Sequence, residues 1–122
     1  MKIFFFNYQG HINEVANDIF KSLGINKSLQ GESLNVQGGI YNSFSVFGLN
    51  IKIEQNSYNY EDEFTYMMSV GKDLVSSVMI DSDIENFIAE AAKRLLSINL
   101  SLVIAEEINN KLEIYPPSSE KI

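Results

Sequence analysis

The apolar residues of this chain recur with the helix period in two stretches and with a period of two almost everywhere else, which restricts the fold to helices packed on a sheet. Ile12, Val15, Ala16, Ile19, Phe20 and Leu23 fall on one helix face, and Gly24 stands where such a helix would stop. A second stripe, Ile84, Phe87, Ile88, Ala91, Leu95 and Leu96, predicts a helix over 83–98 whose solvent side carries Glu85, Asn86, Glu90, Lys93, Arg94 and Ser97. Ser82 and Glu85 have the spacing of a capping box, and Glu90 and Arg94 that of a favourable i, i+4 pair.

Alternation marks the strands. Leu49, Ile51 and Ile53 alternate with polar residues, as do Phe64, Tyr66, Met68 and Val70, then Leu100, Leu102 and Ile104. Residues 41–47 are expected to pair with 49–55 around Gly48, and Asn109-Asn110 to turn 101–107 back onto 111–115, with Pro116-Pro117 ending the pairing. Residues 2–6 suit a strand or a docked apolar tail, and 74–80 a strand or a short helix; the pattern leaves both open. The links are short and no βαβ rhythm is present. The expected class is therefore α+β, an antiparallel sheet with two principal amphipathic helices packed on it.

A chain of 122 residues fits one domain, expected over 1–117 with a flexible tail at 118–122. It contains no cysteine, so disulfides, Cys-based metal sites and thiol chemistry are excluded and the fold must stand on its core. The apolar run at residues 3–6 is too short for a signal-peptide core or a membrane span, which suggests a cytoplasmic protein. Nine basic against sixteen acidic residues give a net charge of −7. That balance argues against direct binding to nucleic acid or to an anionic membrane, and favours a basic partner.

Motifs for chemistry fail one by one. His11 is the only histidine, and its place at the mouth of the first helix suits a helix-end or solvent role. Asp81-Ser82-Asp83-Ile84-Glu85 begins like a calcium loop, but Asn86 stands where the sharp-turn Gly belongs and Ala92 where the bidentate Glu belongs. These acids suit the positive end of a helix instead. Gly71-Lys72 lacks the upstream Gly of a phosphate loop and is followed by Asp73, which would repel a nucleotide. No catalytic residue, cofactor or metal is expected, and the chain reads as a non-enzyme.

One tract stands apart. Residues 56–66, Asn-Ser-Tyr-Asn-Tyr-Glu-Asp-Glu-Phe-Thr-Tyr, hold three tyrosines and three consecutive acids, with no basic residue from Gln55 to Val70. It can be a solvated strand connection whose tyrosines lie over the sheet, or a binding surface in which aromatic area and carboxylates meet a basic partner. The second reading nominates Tyr58, Tyr60, Glu61, Asp62 and Glu63 as partner-binding residues, with Asp81 and Asp83 as neighbours. Paired carboxylates for glycoside hydrolysis are a third possibility, which the lack of Trp to stack a sugar disfavours.

The stretch Val46-Phe47-Gly48-Leu49-Asn50-Ile51, followed by 56–64 and Tyr66-Met67, resembles the small immunity proteins of bacterial contact-dependent growth inhibition systems. The resemblance is strongest over 39–68 and implies a cytoplasmic protein, not an enzyme, that binds one cognate toxin domain, often a nuclease, and blocks it. It does not say which residues touch the toxin. A basic nuclease cleft filled by carboxylates is the expected mode, and occlusion of the active site the expected mechanism. The alternative from another class is a small acidic adaptor or secretion chaperone that holds a protein partner without inhibiting it.

Overall fold

The computed structural model describes residues 1–116 apart from Leu34, Gln37, Ser76 and Val78; Pro117 and the expected tail over 118–122 lie outside the described residues. The chain forms β1 (Lys2–Phe6), α1 (Ile12–Ser22), β2 (Leu29–Glu32), β3 (Ile40–Val46), β4 (Leu49–Gln55), β5 (Tyr66–Lys72), α2 (Ser82–Leu100), β6 (Ile104–Ile108) and β7 (Lys111–Tyr115). The expected α+β class is what forms: one seven-stranded sheet in the order β2-β3-β4-β5-β1-β6-β7, antiparallel at every pairing, with both helices against it.

Residues 2–6, left open by the pattern, are a strand placed between β5 and β6. Lys2 pairs with Val70 and Phe6 with Tyr66 on one side, and Phe5 with Ala105 on the other. Three consecutive phenylalanines suit this position because both faces of the sheet are covered there. Phe4 and Phe6 enter the core under the helices, while Phe5 joins Met67 and Ala105 in a second, smaller cluster on the opposite face.

The main core lies between the sheet and the helices. Val15, Ala16, Ile19 and Phe20 of α1 meet Leu49, Ile51 and Ile53 of β4 and Met68 and Val70 of β5. The α1 stripe is thus buried as its spacing predicts, and Gly24 follows the helix at φ 78°. Both tight turns also form where expected: Phe47-Gly48 joins β3 to β4 and Asn109-Asn110 joins β6 to β7, all four residues with positive φ. The described part of 74–80 belongs to neither helix nor strand.

Helix α2 departs from the expectation in three ways. Asp81, not Ser82, is its N-cap, accepting a 2.9 Å bond from the Ile84 amide. The helix runs on through Leu100 and ends at Ser101 in the left-handed region (φ 54°), so Leu100 is helical and β6 starts only at Ile104. Its buried face is Ala89, Ala92 and Leu96, flanked by Ile88 and Leu100, whereas Phe87 is 72% exposed.

Ion pairs accompany that rotation. Lys93 and Glu85, read as solvent-facing, turn inward, and each has a partner there. Lys93 lies 2.9 Å from Glu90 and 3.6 Å from the buried Glu106, over the rings of Phe4 and Tyr115. Glu85 meets the N-terminal ammonium at 3.0 Å. Small Ala89 and Ala92 let this side approach the sheet closely. Arg94 donates from Nε to the Tyr115 hydroxyl at 3.4 Å. Among the described residues no helix is long and apolar enough to cross a membrane.

Candidate partner-binding site

The tract 56–65 connects β4 to β5 and folds back over the sheet face opposite the helices. Its shape is set by two asparagines and one phenylalanine. The Asn56 side chain is buried; its amide donates to the carbonyls of Asn59 (2.8 Å) and Phe64 (3.0 Å), and its oxygen accepts from the Tyr58 amide at 3.0 Å. Asn7, just past β1, donates to the Glu63 carbonyl at 2.9 Å and accepts from the Thr65 amide at 2.9 Å. These bonds fix the loop from both ends.

Phe5 is the platform beneath. Tyr58 stacks on it at 6.5 Å with 7° between the planes, Tyr60 meets it edge-on at 5.7 Å and 74°, and Phe64 stacks at 6.2 Å. Tyr60 takes a left-handed backbone (φ 59°), a conformation that costs a bulky L residue about 1–2 kcal/mol and persists only where surrounding contacts hold it. Here the contacts are the ring on Phe5, the Tyr60 carbonyl accepting from the amides of Glu63 (3.0 Å) and Phe64 (2.9 Å), and the Tyr60 hydroxyl donating to Glu107 at 2.9 Å. That last bond, with some burial and the nearby Glu107 and Glu63 charges, pushes the Tyr60 phenol above its ordinary value near 10.0.

The result is a one-turn projection. Glu61, Asp62 and Glu63 are all exposed, and their backbone is held by groups that point inward. Glu61 and Asp62 border a shallow cleft of about 430 Å³ with Gln55, Asn56, Thr65 and Tyr66, and Tyr58 borders another of about 360 Å³ with Phe5, Ile3 and Glu107. Tyr66 is itself pinned beneath the turn, its hydroxyl donating to the Gly10 carbonyl.

Five of the seven residues nominated from the sequence are thus brought together. Tyr58 and Tyr60 lie over the sheet, as the first reading of the tract expects, and the three acids face outward. Asp81 and Asp83 are separated from them. They stand at the start of α2, beside Glu85 and the Met1 end of β1, whereas the acidic turn lies by Phe6 and Asn7 at its other end, across the sheet. Asp81 is occupied as the helix cap.

Sequence reasoning missed Glu107, because alternation alone gave no sign that β6 would come under Tyr60. It also missed a polar cleft of about 520 Å³ on the same sheet face, bordered by Tyr41, Ser43, Asn50, Ser69 and the Lys52–Glu54 ion pair at 3.2 Å. The described residues hold no cluster of three or more His, Asp or Glu arranged to bind a metal. Compared with protein families, with curated proteins and with solved structures, the chain shows no match.

Proposed function

We propose that this protein is an immunity protein of the contact-dependent growth inhibition type, acting in the cytoplasm, which inserts its acidic turn into the basic cleft of a cognate nuclease toxin domain and occludes it. The observation that supports this reading most directly is the presentation of Glu61, Asp62 and Glu63 on a hydrogen-bonded turn. Three exposed carboxylates stand on a turn whose backbone is already ordered by Asn7, Asn56 and Phe5. Ordering a loop on binding costs affinity, so a turn held in place beforehand retains more of its contact energy. Phosphate-binding clefts are positive, and a chain of charge −7 is steered toward them.

The test is co-expression with the toxin domain encoded by the neighbouring gene. The wild-type chain should rescue growth and bind the domain, with association slowing as salt screens the charges. Reversing Glu61 and Asp62 to Lys should abolish rescue while leaving the fold intact. Unchanged affinity in that variant would move the interface elsewhere. Binding that leaves the nuclease active would instead establish the adaptor or chaperone reading.

A further inference from the structure

Helix α2 carries a second apolar stripe that no part of the described chain covers. Ile84, Phe87, Leu95 and Ile98 are 47, 72, 41 and 74% exposed, and with Ala91 they follow one another at intervals of 3, 4, 4 and 3 residues. At about 100° of turn per residue, all five project within about 40° of the Ala91 direction. Apolar patches of this kind, a few hundred Å² in area, are often functional on a monomer.

The pattern reads the same from either end. Laid antiparallel across a two-fold axis at Ala91, a second α2 would set Ile84 against Ile98, Phe87 against Leu95 and Ala91 against itself. A two-fold contact requires such self-complementarity, and the small residue on the axis lets the two backbones approach. The rim agrees with the same arrangement. Glu90 and Arg94 lie on one flank of the stripe, and the two-fold brings Arg94 of each copy to within about 3 Å, measured along the helix, of Glu90 of the other. Lys93, 2.9 Å from Glu90, offsets the approach of the two Glu90 carboxylates.

We propose that α2 is a homodimer interface, in which two copies of this chain pair antiparallel through their α2 helices about Ala91. Four large apolar side chains per copy place the contact near the lower end of specific interfaces, on the order of 1,000 Å² in total, the size class of weak and transient association. The acidic turns lie on the other face of each sheet and stay free, which makes the dimer divalent. The inference does not depend on what the turns bind.

Sedimentation velocity of the full chain across the micromolar range, at physiological salt to screen the −7 on each copy, should show a monomer–dimer equilibrium. Ala91→Glu places two carboxylates on the axis and should leave only monomer, with unchanged circular dichroism. The absence of native cysteine allows a second measurement that does not rest on that variant's folding. Under mild oxidation, Ile84→Cys mixed with Ile98→Cys should cross-link at least about tenfold faster than either alone, because the self-pairs lie about 21 Å apart along the helices and a disulfide needs its Cα atoms within about 7 Å. A chain that stays monomeric throughout, a dimer that survives Ala91→Glu, or self-pairs that form as fast as the mixed pair would each overturn the proposal; the first outcome would assign the stripe to a different protein.

Discussion

The Tyr60 hydroxyl and the Glu107 carboxylate meet at 2.9 Å, joining the acidic turn to β6. This bond raises the Tyr60 phenol above its ordinary 10.0, and Tyr8, bonded to Asp18, and Tyr66, buried near Glu14, are raised as well. A raised value means that the folded state keeps a proton the unfolded chain has begun to lose. The stabilisation is complete below about pH 10 and disappears as pH climbs through the folded values. Through these three groups, denaturation midpoints should therefore fall as pH rises in the alkaline range, together with the rise in tyrosinate absorbance. Tyr60→Phe should make that decline shallower and, because it deletes the bond to Glu107, should also lower stability near neutrality; an equally steep decline would mean that Tyr60 does not take part.

The two sides of α2 separate cleanly by mutation. Leu96→Ala empties a fully buried site and should cost about 2–5 kcal/mol in chemical denaturation. Phe87→Ala, measured where the chain is dilute enough to be monomeric, should cost less than about 1 kcal/mol because the ring faces solvent. At the helix start, Asp81→Ala should cost about 1 kcal/mol and Ser82→Ala no more than about 0.5 kcal/mol.

Ordering of the acidic turn can be tested without touching an acid. Asn56→Ala removes three hydrogen bonds from a buried position and should destabilise the fold by about 2 kcal/mol. If preorganisation supports binding, this variant should bind the toxin domain more weakly than wild type at a temperature where both are fully folded. Equal affinity would show that the carboxylates alone suffice.

The Phe47-Gly48 turn offers a gain of stability. Phe47 holds φ 53° with its ring largely exposed, while Asn-Gly is the pair that such hairpin turns favour. Phe47→Asn should stabilise the protein by about 1 kcal/mol, read as a higher denaturation midpoint with an unchanged slope. A loss would show that Phe47 makes a contact worth more than its backbone strain.

Legibility in the sequence followed the number of constraints on each element. α1 has one apolar face and one polar face, so its stripe gave the buried side directly. α2 has apolar residues on two faces, and periodicity cannot tell which of them meets the sheet. The face that meets the sheet, with Ala89, Ala92 and Leu96, also carries the pairings of Lys93 with Glu106 and of Glu85 with the N-terminus, between residues distant in sequence, which the spacing does not show. β2 gave no signal, because Leu29–Glu32 is short, contains Gly31 and buries little. Its place depends on β3, where Tyr41 lies across Gly31 so closely that a methyl group there would collide with the ring. The acidic turn was visible as composition. Its bracing was not, since Asn7 and Phe5, more than fifty residues upstream of Glu63 and Tyr60, supply it.

The position of β1 also makes assembly depend on distant pairings. β2, β3, β4 and β5 can zip together as successive neighbours, yet β1 must wait for β5, some sixty positions later, and Phe5 then meets Ala105, a hundred positions away. Such long closures slow folding, and until they occur a segment with three adjacent phenylalanines is unprotected. Phe5 is also the platform for Tyr58, Tyr60 and Phe64. The acidic turn therefore has its final shape only with β1 docked, and a chain in which β1 is displaced would display the charges without the geometry.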